Sequence, residues 1–514
     1  MREEIITVGT NHRLTLEDVN KLLRSHAIVR IDPESFGNME RTFQYLRSFL
    51  DKRLPVYGIN TQFGDQVHLL ESLNKEGDLY AESMNDRQNN LINSHSCGLG
   101  NLVSADIVRV AMMLRTQCLS QGYSAVSKEV VQTLVNFLNA GIAPCVRQYG
   151  SIGASGDLIP LAMIAAGLKG ADVDVMYQGQ ILKAPQAIEL ASLQPLKPQM
   201  RDGLALVNGT SFMTAIASVA LLKLKRLFKL MMHTIGMSLE SMLVITSAYS
   251  PIVHQLKGQL GEIHVNKSLL EFWTGSQLLT DLDELRMSGE KPVQDYYSLR
   301  AVAQGFGPFY ENLQRAIDWV ENEMNSVNDN PIIDLEDNKI HHNASFMGYY
   351  VTDACDILKM NIAQASTWLH ALLANMLHPR KNHKLPTNLV VDPESQNGFR
   401  PLQLLACSIA VQNRKLAQSQ QSFMLPTEGD NQDVNSLGTH AAFDLREAVD
   451  NLERLTTILL LAATQALEFR GIEKAGIQSR RIYTLVREHS PTLSNCRPMS
   501  DEIAKLIDIL QDDF

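Results

Sequence analysis

Ten residues, Gly150-Ser151-Ile152-Gly153-Ala154-Ser155-Gly156-Asp157-Leu158-Ile159, can react with one another. If the amide nitrogen of Gly156 adds to the carbonyl carbon of Ala154, a five-membered ring closes. Loss of water there, and of the Ser155 hydroxyl as a second water, leaves an exocyclic methylidene. The product is a strong carbon electrophile made from the chain itself. Glycine at the third position has no Cβ to obstruct its nitrogen. Alanine is small, and serine supplies a hydroxyl that can be eliminated. The same residues also suit an ordinary turn and an N-cap for a helix starting near Leu158. A phosphate-binding P-loop is excluded, because no Gly-Lys-Ser/Thr follows. A dinucleotide loop lacks its preceding strand and its acidic ribose partner.

Other polar clusters could complete a site. Tyr57 stands in the glycine-flanked loop Tyr57-Gly58-Ile59-Asn60-Thr61-Gln62-Phe63-Gly64, where a tyrosine can serve as a general base or simply pack. Asn208, before Gly209-Thr210, offers a donor and an acceptor to a ligand, or an N-cap. The segment from Gln294 to Arg300 crowds an amide, two phenols and a guanidinium into seven residues. Arg300 suits bidentate capture of a carboxylate. Asn328-Asp329-Asn330-Pro331 reads as a turn, and Glu428 to Asp433 as a polar loop whose amides could read a ligand. Ser94-His95 falls on an expected helix, where a histidine is more often packed than functional.

These groups need a frame, and the hydrophobic period supplies a mainly helical one. Short strands are expected at Ile5–Val8 and Ala27–Arg30, a loop at 51–66, and helices at 103–119 and 126–140. A loop from Gly141 to Asp157 carries the reactive segment, and a β excursion spans 170–193. Four long helices are expected, from about 210 to 246, at 297–326, at 351–377 and at 437–469. Helices this long indicate a mainly all-α fold, a large elongated bundle with a smaller mixed N-terminal part. The expected division is residues 1–200, carrying the reactive loop, and 201–514, the long-helix bundle. The helices are more apolar than one bundle needs, which points to burial between subunits.

Composition narrows the function. The chain has 514 residues, 45% hydrophobic and 20% charged, enough for a large core. The net charge of -10 argues against nucleic acid as a partner. Six cysteines form no CxxC pair, so no zinc site or disulfide framework is indicated and a cytoplasmic location is expected. The N-terminus opens on no signal sequence, and the most apolar run, 219–232, is interrupted by lysines and arginine. No membrane partner is expected.

Together the segments resemble the aromatic amino acid ammonia-lyases and aminomutases, the histidine, phenylalanine and tyrosine ammonia-lyase superfamily. GSIGASGDLIPL, YGINTQFG, GLALVNGTS, QDYYSLR, NSVNDNPIID and NQDVNSLG match in family order across nearly the whole chain. The resemblance implies a methylidene-imidazolone (MIO) formed from Ala154, Ser155 and Gly156, with no metal. It implies Tyr57 as the base for the β-proton, Asn208 beside the MIO, and Arg300 on the substrate carboxylate. Tyr297 and Gln294 would orient the substrate, and Asn330 and Phe346 would complete the wall. Gly64, Ser94, His95, Glu428 and Gln432 would also bind substrate. The family implies a homotetramer and a free aromatic amino acid as substrate, losing ammonia to give an arylacrylate.

Within the family the Ser94-His95 pair implies ring recognition. Ser-His is found in histidine lyases and in a bacterial group of tyrosine lyases, whereas phenylalanine lyases tend to have Phe-Leu. The histidine branch carries a glutamate where this chain has Gln432. Glu428 is placed like the glutamate of phenylalanine lyases. Tyrosine ranks first, phenylalanine and histidine behind it, with a 2,3-aminomutase as the alternative activity. Three departures border the expected pocket: Gln62, Ala303 and Asn343-Ala344-Ser345, the last where Gly-Gly-Asn is common.

Overall fold

The computed structural model describes residues 4–25, 27–74, 77–288 and 293–513. Helix accounts for 61% of it and strand for 7%, so the fold is mainly α. Two compact units are present. The first comprises Met1–Leu222, Ile317–Cys355 and Ser419–Phe443, and the second the remainder.

The first unit holds the short strands. Ile5–Val8 and Ile28–Ile31 pair in parallel, joined by the helix Leu16–Arg24. Its apolar residues Leu16, Val19 and Leu22 recur at helical spacing and are buried. The expected β excursion is a hairpin of Asp174–Tyr177 and Gln180–Lys183, followed by the helix Ala184–Leu190. The segment read as a loop at 141–157 contains two strands, Ala143–Pro144 and Arg147–Tyr149, and the second directly precedes Gly150, where the sequence reading expects no strand before the glycines. Both are too short to show alternation. The helix Ala105–Ser120 is buried along nearly all its length, polar Arg115, Thr116 and Gln117 included. The helix Leu158–Leu168 follows the reactive loop, and Asp202–Val207 ends at Asn208.

In the second unit, the residues from Asp444 to Arg470 of the helix Gly438–Arg470 bury Leu445, Val449, Leu452, Ile458, Leu459, Leu460 and Leu461. Apolar residues on all sides go with a helix buried in the unit's core. Beside it the buried Lys359 ammonium donates to the Gln418 carbonyl at 3.0 Å and meets Asp356 at 2.8 Å. The long helix after Thr210 runs Ser211–Ser241. It stops short of 246 because Leu243 turns left-handed, with φ 53°, and the Val244 amide folds back to the Leu239 carbonyl. The helix expected at 297–326 breaks at Ala301 into Tyr297–Arg300 and Val302–Met324. The unit also holds the helices Pro251–Lys257, Leu260–Phe272, Arg400–Leu416, Ile477–His489 and Ser500–Asp513, and residues 356–377 of the helix Tyr349–Leu377. No helix among the described residues is long and apolar enough to cross a membrane.

Candidate active site

The reactive loop is held against the segment that follows Val207. Gly156 has φ +71°, and a Cβ there would lie 2.2 Å from the Gly209 carbonyl oxygen. Only glycine fits such an approach. The Asp157 amide then donates to that same carbonyl at 2.8 Å. From the other side, the Leu437 amide donates to the Ile152 carbonyl at 3.0 Å and the Ser436 hydroxyl to the Gly153 carbonyl at 3.0 Å. The Asp157 carboxylate is fully buried and accepts from the Ser151 and Thr439 hydroxyls and from the Phe212 and Met213 amides.

Ser155 is gripped by two amides. Asn208 Nδ2 donates to its carbonyl oxygen at 3.0 Å, and Gln432 Nε2 to its hydroxyl at 3.2 Å. Asn208 Oδ1 accepts the Asn330 amide at 2.8 Å, and Asn330 Oδ1 accepts the Asn343 amide at 2.8 Å. The turn carrying Asn330 is pinned by buried charge. Arg201 meets Asp329 at 3.0 Å and donates to the Asn330 carbonyl at 3.2 Å, while Arg115 holds Asn328 at 2.9 Å. These residues fit the MIO. Ala154 is buried, Gly156 has no room for a side chain, and the Ser155 carbonyl, the one a closed ring retains, already has its donor.

Tyr57 is fixed at both ends. Its phenol oxygen accepts the Gly64 amide at 3.2 Å, and its own amide donates to His342 Nε2 at 3.2 Å. The Phe63 ring meets it edge-on, centroids 6.4 Å apart. Tyr57, Thr61, His68, Asn330 and His342 line one cavity of about 450 Å³. Burial pushes the Tyr57 phenol above its ordinary range, the Gly64 N–H opposes this, and the Glu428 charge adds to it. The Glu428 carboxylate packs so tightly on Gly64 that a Cβ there would meet its Oε2 at 2.4 Å. Burial raises the Glu428 carboxyl, while the nearby His95 pulls it down. His95 ends the helix Asp78–His95, with Nδ1 3.0 Å from the Leu91 carbonyl oxygen and 3.1 Å from the Ser94 hydroxyl.

Two linked groups therefore form in the first unit. Ser155, Asn208, Asn330 and Gln432 make one; Tyr57, Gly64, Glu428, Ser94 and His95 make the other. The Tyr57–Asn330 cavity joins them. Phe346 is half-buried in the loop after Asn343. Gln294, Tyr297 and Arg300 belong to the second unit. There Gln294 and Tyr297 are exposed, and the Arg300 guanidinium lies over the Tyr297 ring at 4.8 Å. Among the described residues the Arg300 Nε is buried without a hydrogen-bond partner.

Sequence reasoning did not find His342, His68 or the anchoring role of Asp157. The one signal for His342 was its position just before the atypical Asn343-Ala344-Ser345. A larger cavity of about 800 Å³ in the second unit, lined by Lys229, His233, His264, Tyr310 and Arg481, contains none of the candidate residues. Volume alone therefore does not select the site. Among the described residues no group of three or more His, Cys, Asp or Glu is placed to hold a metal.

Known proteins share both sequence and fold with this chain. The family model described as aromatic amino acid lyase matches residues 14–488. Histidine ammonia-lyase of Geobacillus thermodenitrificans is 32% identical over 96% of this chain and 95% of its own length. Tyrosine 2,3-aminomutase of Chondromyces crocatus is 33% identical over 98% and 94%. The solved structure of Pantoea agglomerans phenylalanine aminomutase covers all of both chains with a TM-score of 0.93 at 28% identity. The chain belongs to the aromatic amino acid lyase family and is a carbon–nitrogen lyase of the ammonia-lyase type.

Proposed function

We propose that the protein deaminates L-tyrosine to 4-coumarate and ammonia, using an MIO formed from Ala154, Ser155 and Gly156. His95 carries the choice of substrate. With Nδ1–H donating to the Leu91 carbonyl, Nε2 is the ring's acceptor, matched to a phenol O–H. A phenyl ring would leave that acceptor unpaired, at a cost of about 1–3 kcal/mol. Gln432 weakens the case for histidine, because its neutral amide supplies no charge to an imidazolium.

When formed, the MIO supplies the carbon electrophile that turns the substrate amine into a better leaving group. The chain's own residues do the rest. Asn208 donates to the Ser155 carbonyl and draws electron density from it. Tyr57 takes the β-proton, Arg300 clamps the carboxylate, and Tyr297, Gln294, Asn330 and Phe346 orient the substrate. Gly64, Ser94 and Glu428 border the ring and Tyr57 side. The same reading makes the protein a cytoplasmic homotetramer, in keeping with its six free cysteines and long apolar helices.

A second reading, a tyrosine 2,3-aminomutase, is favoured by the Chondromyces relative of that name, and aminomutase activity in general by the Pantoea phenylalanine aminomutase structure. One experiment separates the readings. Purified protein is given L-tyrosine, L-phenylalanine and L-histidine separately, with ultraviolet detection of the arylacrylate and chromatography for β-amino acids. Coumarate alone supports the proposal, β-tyrosine selects the aminomutase, and urocanate alone overturns the tyrosine assignment.

A further inference from the structure

The Tyr57 backbone and the reactive loop are joined by a short chain of hydrogen bonds. The Tyr57 amide donates to His342 Nε2 at 3.2 Å. The next residue, Asn343, donates its amide to Asn330 Oδ1 at 2.8 Å. Asn330 donates its amide to Asn208 Oδ1 at 2.8 Å, and Asn208 Nδ2 reaches the Ser155 carbonyl at 3.0 Å. Among the chain's links only His342 can be protonated near neutrality. Its segment leads straight into Asn343-Ala344-Ser345, the stretch that departs from the common pattern.

We infer that His342 is a positioning residue: its neutral imidazole fastens the Tyr57 segment to the Asn343–Asn330–Asn208 chain and so sets where the phenol stands relative to Ser155. This rests on the reading of Tyr57 as the base. Accepting the Tyr57 N–H requires the Nε2 lone pair, so protonation turns acceptor into donor and opens the link. Although the residue is exposed, partial desolvation lowers the imidazole below its ordinary range, which favours the neutral form. The titratable groups sharing its cavity are Tyr57 and His68. The preceding residue, His341, ends the strand Lys339–His341 and lies 3.6 Å from Asp334. The link is therefore made at neutral pH and lost as pH falls through the His342 titration.

The test compares the wild type with His342→Leu, which removes the acceptor, and His342→Gln, whose side-chain oxygen restores one. Hydrogen–deuterium exchange of the Tyr57 amide reads the link without turnover. Steady-state kinetics with L-tyrosine read its consequence. In His342→Leu the amide exchanges about tenfold faster and kcat falls about tenfold with KM little changed. In His342→Gln both recover, and the part of the acid limb that follows His342 protonation disappears while the dependence on Tyr57 ionisation remains. Unchanged exchange in His342→Leu, or no recovery in His342→Gln, overturns the inference. If the wild type forms no product from any aromatic amino acid while the exchange pattern holds, the functional reading fails and the link stands.

Discussion

Asp157 gives its carboxylate to Met213, not to the helix it precedes. Oδ2 accepts the Met213 amide at 2.8 Å and the Phe212 amide at 3.1 Å, so it caps the helix Ser211–Ser241. Its own helix, Leu158–Leu168, receives no side-chain cap from it. One buried side chain thus ties the reactive loop to the helix that follows Asn208. Asp157→Ala leaves two amides and two hydroxyls without their acceptor. A loss of about 3–5 kcal/mol in urea unfolding is expected, together with incomplete loss of water from the reactive loop by intact mass. Normal stability with a fully dehydrated loop would show that the loop does not depend on this anchor.

Ser155 makes the electrophile directly testable by mass. Wild-type protein should weigh two waters less than its sequence, and Ser155→Ala should weigh what its sequence dictates. Turnover in Ser155→Ala should fall by roughly a thousandfold or more. Its fold should persist, since the Asn208 contact is to the Ser155 backbone. A wild type at full sequence mass that still deaminates tyrosine would remove the MIO from the mechanism.

The reactive triad and the motif residues were legible because their chemistry demands particular residue types at adjacent positions. Ala154, Ser155 and Gly156 are consecutive, and the glycine is required by a real backbone clash. Long helices were legible through apolar period. What was lost depends on through-space pairing. Nothing local shows that Asp157 caps a helix 54 residues on, since its position suits an ordinary cap of its own helix. The Arg201–Asp329 pair spans 128 residues, and a composition that reads as a turn hides the charge. The strands Ala143–Pro144 and Arg147–Tyr149 are set by pairing with distant partners rather than by their own pattern.

His95 predicts a substrate switch. His95→Phe removes the acceptor that a phenol needs and supplies an apolar face for a phenyl ring. The ratio of kcat/KM for L-tyrosine to that for L-phenylalanine should fall by about 10- to 100-fold, the effect of one buried polar pairing. Ser94→Ala removes a hydroxyl 3.1 Å from Nδ1 but leaves the Leu91 carbonyl in place, so it should shift the ratio far less. Equal effects from both substitutions would take recognition away from His95.

Tyr57 predicts the alkaline behaviour. Burial raises its phenol, so the resting site holds it protonated at neutral pH. A base must be ionised, and kcat/KM for L-tyrosine should therefore climb with pH above neutrality. Tyr57→Phe should lose about 10²- to 10⁴-fold in kcat, keep its two-water mass deficit and lose the alkaline rise. A Phe variant with an unaltered pH profile would assign the β-proton to another group.

Asp202 predicts how stability depends on pH. It opens the helix that ends at Asn208, and its buried carboxylate accepts from the Ser127 amide at 2.9 Å, the Ser127 hydroxyl at 2.7 Å and the Gln199 amide at 2.9 Å. Burial outweighs these bonds and raises its carboxyl from 3.8 to about 6. Between those values the folded chain holds a proton that the unfolded chain has released. Folding is therefore favoured at the acid end, and this contribution is lost as pH rises through about 6. The shift corresponds to a loss of about 3 kcal/mol across the window. Asp202→Asn cannot titrate, so its stability should follow a curve missing that component, although its baseline drops because one acceptor becomes a donor. Unfolding in urea at half-unit steps from pH 4 to 7 reads the difference. Parallel curves for wild type and variant would mean that Asp202 is ionised throughout, and that the bonds from Ser127 and Gln199 outweigh its burial.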